Sequence, residues 1–248
     1  MRHIRAALRF VLLFGATFGL YAIWLALKWF IPNKIYWRQI ILRQWARSFV
    51  RIANCDVEII GTPPKPPFFL VSNHLGYFDI PVVRSAVEGV FVAKHEIEGW
   101  IFMGRMVRDM GTVYVNRERK RDIPRAGEEV IERLSQGEGV IVFPEGTSSR
   151  GDGILPFNSS FLAFAAKTDM PVSHLSISYR TPEGEPPPSE SVCWWDDTPF
   201  LTHVLRLLAL RRVTAILNFG DEPVVNPDRK RLAAELRERV EKRFIPIL

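Results

Sequence analysis

Apolar residues crowd the beginning of the chain and then settle into short runs separated by amphipathic stretches. Residues 10–27, FVLLFGATFGLYAIWLAL, form an uncharged run of eighteen, enough to insert into a bilayer, with Trp24 and Trp29 near its far end. Lys28, Trp29, Phe30, Ile31 and Pro32 follow it instead of a small-residue cleavage site, so the run reads as a retained anchor. Arg2, Arg5 and Arg9 precede it; Lys28, Lys34, Arg38, Arg43 and Arg47 follow, a bias that favours a cytoplasmic downstream domain. Residues 33–54 place Ile35, Trp37, Ile40, Ile41, Trp45 and Phe49 at helical spacing among four arginines. Such a helix suits the headgroup layer, and the same spacing also fits an ordinary surface helix packed on a core.

Beyond residue 54 the period changes. Short apolar runs predict strands at 56–61, 68–72, 90–93, 112–115, 139–143, 172–179, 191–195 and 213–219. Between them, 3.6-residue spacing predicts helices at 79–87, 97–110, 118–136, 159–167, 201–210 and 228–244. This alternation predicts an α/β fold with a mixed, largely parallel sheet flanked by helices, behind an N-terminal membrane-associated helical segment. The expected division is an anchor and interfacial helix at 1–54 and a catalytic domain at 55–248. Proline-rich stretches at 62–67 and 181–188 are surface loops, too short for domain linkers.

Composition narrows the classes. With 33 Lys and Arg against 27 Asp and Glu, the net charge of +6 draws the surface toward polyanions. The basic residues sit beside the apolar run and in mixed-charge helices without a nucleic-acid module, so anionic lipid or a phosphorylated substrate is expected, and no nucleic-acid partner. Two cysteines outside any Cys-x-x-Cys array exclude a disulfide framework and a structural zinc site. The scattered His95, His174 and His203 offer no metal-ligand spacing, so no metal is expected.

Four blocks can carry chemistry. Ser72-Asn73-His74-Leu75-Gly76-Tyr77-Phe78-Asp79 follows the strand FFLVS and opens a helix, at a strand end where α/β proteins collect ligands. There Asp79 can fix the tautomer of His74 and leave the other ring nitrogen to accept a hydroxyl proton, or it can simply cap the helix. The strand from Gly111 ends in Arg117, whose planar fork suits a phosphate and which also begins the charged run RERKR. Phe143-Pro144-Glu145-Gly146-Thr147-Ser148-Ser149 is a strand followed by a polar turn able to present amides and hydroxyls to an anion. Met170-Pro171-Val172 is the fourth, and taken alone it reads as the start of a buried strand.

In this order the four blocks resemble the glycerolipid acyltransferase family, best known for its 1-acylglycerol-3-phosphate acyltransferases, over residues 68–179. The resemblance implies that His74 is a general base oriented by Asp79. The base activates an acceptor hydroxyl for direct attack on the thioester of acyl-CoA or acyl carrier protein, with no protein nucleophile and no cofactor. It assigns Asn73, Lys94, Arg117, Glu145, Gly146, Thr147 and Ser148 to substrate binding and Pro171 to the donor or acyl pocket. The expected product is phosphatidate from lysophosphatidate, made at the cytoplasmic face of the inner or cytoplasmic membrane, with membrane lipids as partners. Many members have Arg-Ser after Phe-Pro-Glu-Gly-Thr, where this chain has Ser148-Ser149 and delays its arginine to position 150. That departure leaves room for another acceptor, such as a lyso-ornithine lipid. A non-enzymatic lipid-binding protein on the same fold is the alternative from another class.

Overall fold

In the computed structural model of the chain, residues 2–100, 103–116 and 122–247 are described. Two long helices come first, α1 (Arg2–Leu27) and α2 (Lys34–Ala53). Then follow β1 (Cys55–Ile60), β2 (Phe68–Ser72), α3 (Asp79–Ala86), β3 (Val90–Lys94), α4 (Met103–Asp109), β4 (Val113–Val115), α5 (Asp122–Ser135) and β5 (Gly139–Val142). The chain closes with α6 (Ala163–Lys167), β6 (Val172–Arg180), α7 (Pro188–Ser191), α8 (Phe200–Ala209), β7 (Val213–Phe219) and α9 (Arg229–Glu241).

The strands form one sheet in the order β1-β7-β6-β2-β5-β3-β4. Every pairing is parallel except β6 with β7, so the expected mixed, largely parallel sheet is the one observed. Strand β2 explains the continuous apolar runs. Phe68 and Leu70 enter a core shared with α2, α3 and α8, through Phe49, Val82 and Leu207. Phe69 and Val71 point the other way, into a core shared with α5, α6 and α9 through Val130, Ala165 and Leu232. With helices on both faces no strand position needs to be polar, and all five residues of β2 are buried.

Three expected elements came out differently. Residues 191–195 are not a strand: Pro187 and Pro188 start the short helix α7, which ends at Ser191, and a loop follows. The helix expected at 97–110 is a 3-10 turn, His95–Gly99, and then α4. The one expected at 159–167 also begins as a 3-10 turn, Ser159–Leu162, before α6. Of the helix expected at 118–136, residues 118–121 lie outside the described residues, and α5 accounts for the rest.

The N-terminal helices are docked on the α/β unit. At the C-terminal end of α8, where helix carbonyls lack partners, Arg9 Nη1 donates to Leu208 O at 3.2 Å and Leu210 O at 2.6 Å, and Arg5 Nε to Ala209 O at 3.1 Å. Trp45 of α2 donates to Thr17 of α1 at 3.1 Å. The opposite face of α1 stays bare, with Leu8, Val11, Leu12, Phe18 and Ile23 exposed, and Trp29 and Phe30 just beyond it. Among the described helices, α1 is the one long and apolar enough to cross a membrane.

Candidate active site

The parallel strands β2, β5, β3 and β4 end on one edge of the sheet, and the site is built there. Beyond Ser72 the chain turns through 73–78 into α3, whose first residue is Asp79. Asp79 has no exposed surface. Its Oδ2 accepts from the amides of Leu75 at 2.6 Å and Gly76 at 3.1 Å, and lies 2.7 Å from His74 Nδ1. Its Oδ1 accepts the Tyr179 hydroxyl at 2.7 Å. Asp79 therefore holds the imidazole and also organises the turn before the helix, whereas α3 has no side-chain cap. Facing a carboxylate, Nδ1 carries the ring proton, which leaves Nε2 with a lone pair.

Neighbouring loops hold the turn in place. The His74 ring stacks on Phe143 with centroids 4.2 Å apart. The His74 carbonyl accepts the Ser149 amide at 2.9 Å, which ties the 143–149 block to the histidine. The 192–195 loop, read as a strand from sequence, covers the turn from above. There the Trp194 amide donates to Leu75 O at 2.8 Å, and the Trp194 carbonyl accepts the Ser148 hydroxyl. A Cβ at position 76 would sit 2.9 Å from the Trp194 nitrogen, so the approach requires glycine there.

Several expected substrate-binding residues have other duties. Asn73 is fully buried, and its amide exchanges two hydrogen bonds with the backbone of Ile177 on β6, at 2.9 and 2.7 Å. It clamps β2 to β6 and has no surface to offer a substrate. Pro171 precedes β6 on the opposite edge of the sheet. Val172 pairs with Phe69 and Leu175 with Ser72, so roughly 13 Å of strand separate Pro171 from the end of β2. It starts a strand and does not line the site. Gly146, at φ +80°, spends its amide on Phe143 O at 3.1 Å and closes the turn. Ser148 spends its hydroxyl on Trp194. Thr147 is exposed on this turn, and Lys94 is exposed at the end of β3, on the edge that carries His74. Arg117 lies outside the described residues.

Glu145 is turned inward, with both carboxyl oxygens sealed from solvent. Burial first, and then the charge of Asp79, push its carboxyl up to about 8, against the opposing pull of the His74 and Leu155 amides. Unfolded, it ionises in the ordinary range near 4.3. The folded state thus keeps a proton that the unfolded state releases, and the stability this confers is lost as pH rises toward about 8. Thermal midpoints of the wild type should therefore fall more steeply from pH 5 to 8.5 than those of Glu145→Gln. Parallel slopes would refute a buried, protonated Glu145.

Neither cysteine can serve as a nucleophile. Both are free and buried; burial pushes the Cys55 thiol up to about 12 and the Cys193 thiol higher still. A cleft of about 600 Å³ opens along β4 and is lined by His95, Tyr114, Asp122 and Arg125 among others. Neither His74 nor Asp79 lines it.

Comparison with known proteins agrees with this geometry. A family model described as Acyltransferase matches residues 56–178. The lyso-ornithine lipid O-acyltransferase of Rhodobacter capsulatus is 32% identical over 80% of this chain and 73% of its own length. The 1-acyl-sn-glycerol-3-phosphate acyltransferase of Neisseria gonorrhoeae is 29% identical over 68% of this chain and 66% of its own. The crystal structure of the 1-acyl-sn-glycerophosphate (LPA) acyltransferase from Thermotoga maritima shares the fold, with a TM-score of 0.68 at 24% identity, covering 98% of this chain and 97% of that one. The bare apolar face of α1 and the lipid substrates these relatives are named for mark the chain as membrane-associated. A buried aspartate holding an imidazole at a strand end, and a relative matched over most of both lengths, make this chain a member of the acyltransferase family that acts on lysolipids.

Proposed function

We propose that the chain transfers a fatty acyl group from the thioester of acyl-CoA or acyl carrier protein to the free hydroxyl of lysophosphatidate, forming phosphatidate. The observation that carries this reading is the 2.7 Å contact from His74 Nδ1 to Asp79, which leaves Nε2 free on an edge shared with Lys94 and the 145–148 turn. As the acceptor oxygen bonds to the thioester carbonyl carbon, Nε2 takes its proton, and the buried Asp79 carboxylate offsets the imidazolium charge. Collapse of the tetrahedral adduct breaks the carbon–sulfur bond, and the imidazolium returns its proton to the departing thiolate. Lys94 and Arg117 supply the positive charge a phosphate headgroup needs. The bare face of α1 lets the lysolipid tail arrive from the bilayer, and the basic residues after residue 27 favour the cytoplasmic face of the inner or cytoplasmic membrane.

A second acceptor, a lyso-ornithine lipid, is favoured by a specific feature. Ser148 stands where many phosphate-binding relatives carry arginine, and its hydroxyl is already committed to Trp194. The Rhodobacter relative is named for that acceptor. Purified protein in mixed micelles, given each lysolipid with labelled acyl-CoA or acyl carrier protein, should yield phosphatidate by mass spectrometry. Turnover of lyso-ornithine lipid without turnover of lysophosphatidate would replace the first reading by the second. Inactivity on both, with His74→Ala complementing as well as the wild type, would leave a lipid-binding protein.

A further inference from the structure

We infer that Tyr179 is a positioning residue for the transfer step: its hydroxyl locks the Asp79 carboxylate in the plane that serves His74 and limits how tightly that carboxylate holds the imidazole proton. The inference rests on the reading of His74 as the base. Tyr179 stands near the end of β6, a hundred residues from Asp79 in sequence, and is 3% exposed. Its ring stacks on Phe78, the residue that precedes α3, with centroids 5.8 Å apart. Stacking sets the ring, and the ring sets the hydroxyl 2.7 Å from Asp79 Oδ1.

The two carboxylate oxygens are held from different parts of the fold. The 74–76 turn supplies all three partners of Oδ2, and β6 supplies the partner of Oδ1. Without the Tyr179 hydroxyl, the Asp79 side chain is fixed at one oxygen only and can twist, which swings Oδ2 out of line with His74 Nδ1. The second effect is electronic. Each donor to a carboxylate disperses its charge and lowers its basicity. With one donor gone, Asp79 holds the Nδ1 proton more strongly, and the imidazole in turn keeps the Nε2 proton to higher pH. The phenol itself does not ionise, because burial, and then the Asp79 charge, hold it protonated well above the usual tyrosine range.

The ionisable groups around this pair come from several elements. His74 lies on the turn and Tyr179 on β6, while Glu145 after β5 and Cys193 after α7 both sense the Asp79 charge. Cys55 on β1 faces Tyr179. Apart from Tyr179 itself none of these is exchanged in Tyr179→Phe, which keeps the ring and removes only the hydroxyl. In the full chain in micelles, that variant should lower kcat on the order of tenfold, the worth of a buried hydrogen bond to a charged group. KM for both substrates should stay put, because Tyr179 offers them no surface. The acid limb of the rate profile should move to higher pH by roughly half a unit.

Partial unfolding can lower kcat but cannot move that limb, and Leu232→Ala is the control. It opens a cavity in the core on the other face of the sheet and leaves Phe78 and Tyr179 in place, so its thermal midpoint should fall with the acid limb unmoved. A Tyr179→Phe protein with wild-type kcat and an unmoved acid limb, alongside an inactive His74→Ala, would overturn the role of Tyr179 alone. An active His74→Ala would instead overturn the reading of the base.

Discussion

Replacing His74 by alanine lowers acyl transfer by about 10³-fold or more at saturating substrates, since the attacking hydroxyl then has no group to take its proton. KM should change little, because the imidazole acts as the bond forms and holds neither substrate in the ground state. Folding should survive. Asp79 loses one of its four partners and keeps the Leu75 and Gly76 amides and the Tyr179 hydroxyl, a cost of about 1–3 kcal/mol. Asp79→Asn separates orientation from basicity. The Leu75 and Gly76 amides need an acceptor, so the asparagine oxygen takes the Oδ2 place and its NH₂ faces the Tyr179 hydroxyl; the imidazole stays in place and loses the carboxylate charge that offsets the imidazolium. That variant should fall nearly as far as His74→Ala, and formate or acetate should not restore it, because Asp79 is sealed from solvent. Thiol release measured from acyl-CoA tests both variants. A His74→Ala enzyme retaining a tenth of wild-type turnover would remove general-base catalysis from the site.

Where the fold was legible, the reason is local. An all-apolar run such as FFLVS can be buried on both faces only inside a sheet covered twice, and the helices between such runs supply the cover. The histidine turn was legible for the same reason, because strand, turn and carboxylate fall within eight residues. What escaped depends on contacts between distant segments. The apolar SVCWW looks like a strand, yet its Trp194 finds partners in Leu75 and Ser148 instead of a ladder. Asn73 was assigned to substrate binding by resemblance, and its partner Ile177 is 104 positions away. Tyr179 gave only the trace of a polar-tipped aromatic in a buried strand. Pro171 was carried by resemblance, and the register of β6 puts it on the wrong edge. Helix α2 was read as interfacial from its two tryptophans and four arginines, with an ordinary surface helix as the other reading, and Arg38 is turned into the protein.

That inward arginine governs a further large effect, the loss of stability in Glu138→Ala. Arg38 Nη2 lies 2.5 and 2.6 Å from the two Glu138 carboxyl oxygens, and Glu138 is 1% exposed immediately before β5. Gln39 donates to the same carboxylate at 2.5 Å, and through its own carbonyl oxygens it accepts from Arg84 of α3 at 2.7 and 2.6 Å. One buried carboxylate thus joins α2 to α3, the helix whose first residue is Asp79. Removing it strands a guanidinium without its counter-charge in a site 9% exposed, which costs about 3–5 kcal/mol. For a chain of this length, the thermal midpoint should drop on the order of 10 °C. Hydrogen exchange should rise first in α2 and α3, and activity should fall with it, because α2 no longer holds α3 in place. Arg38→Met combined with Glu138→Met separates charge from packing. An apolar pair of similar volume removes the stranded cation and should recover most of the lost stability. If Glu138→Ala instead unfolds within about 1 kcal/mol of the wild type, the ion pair does not hold the two parts together, and packing alone must do so.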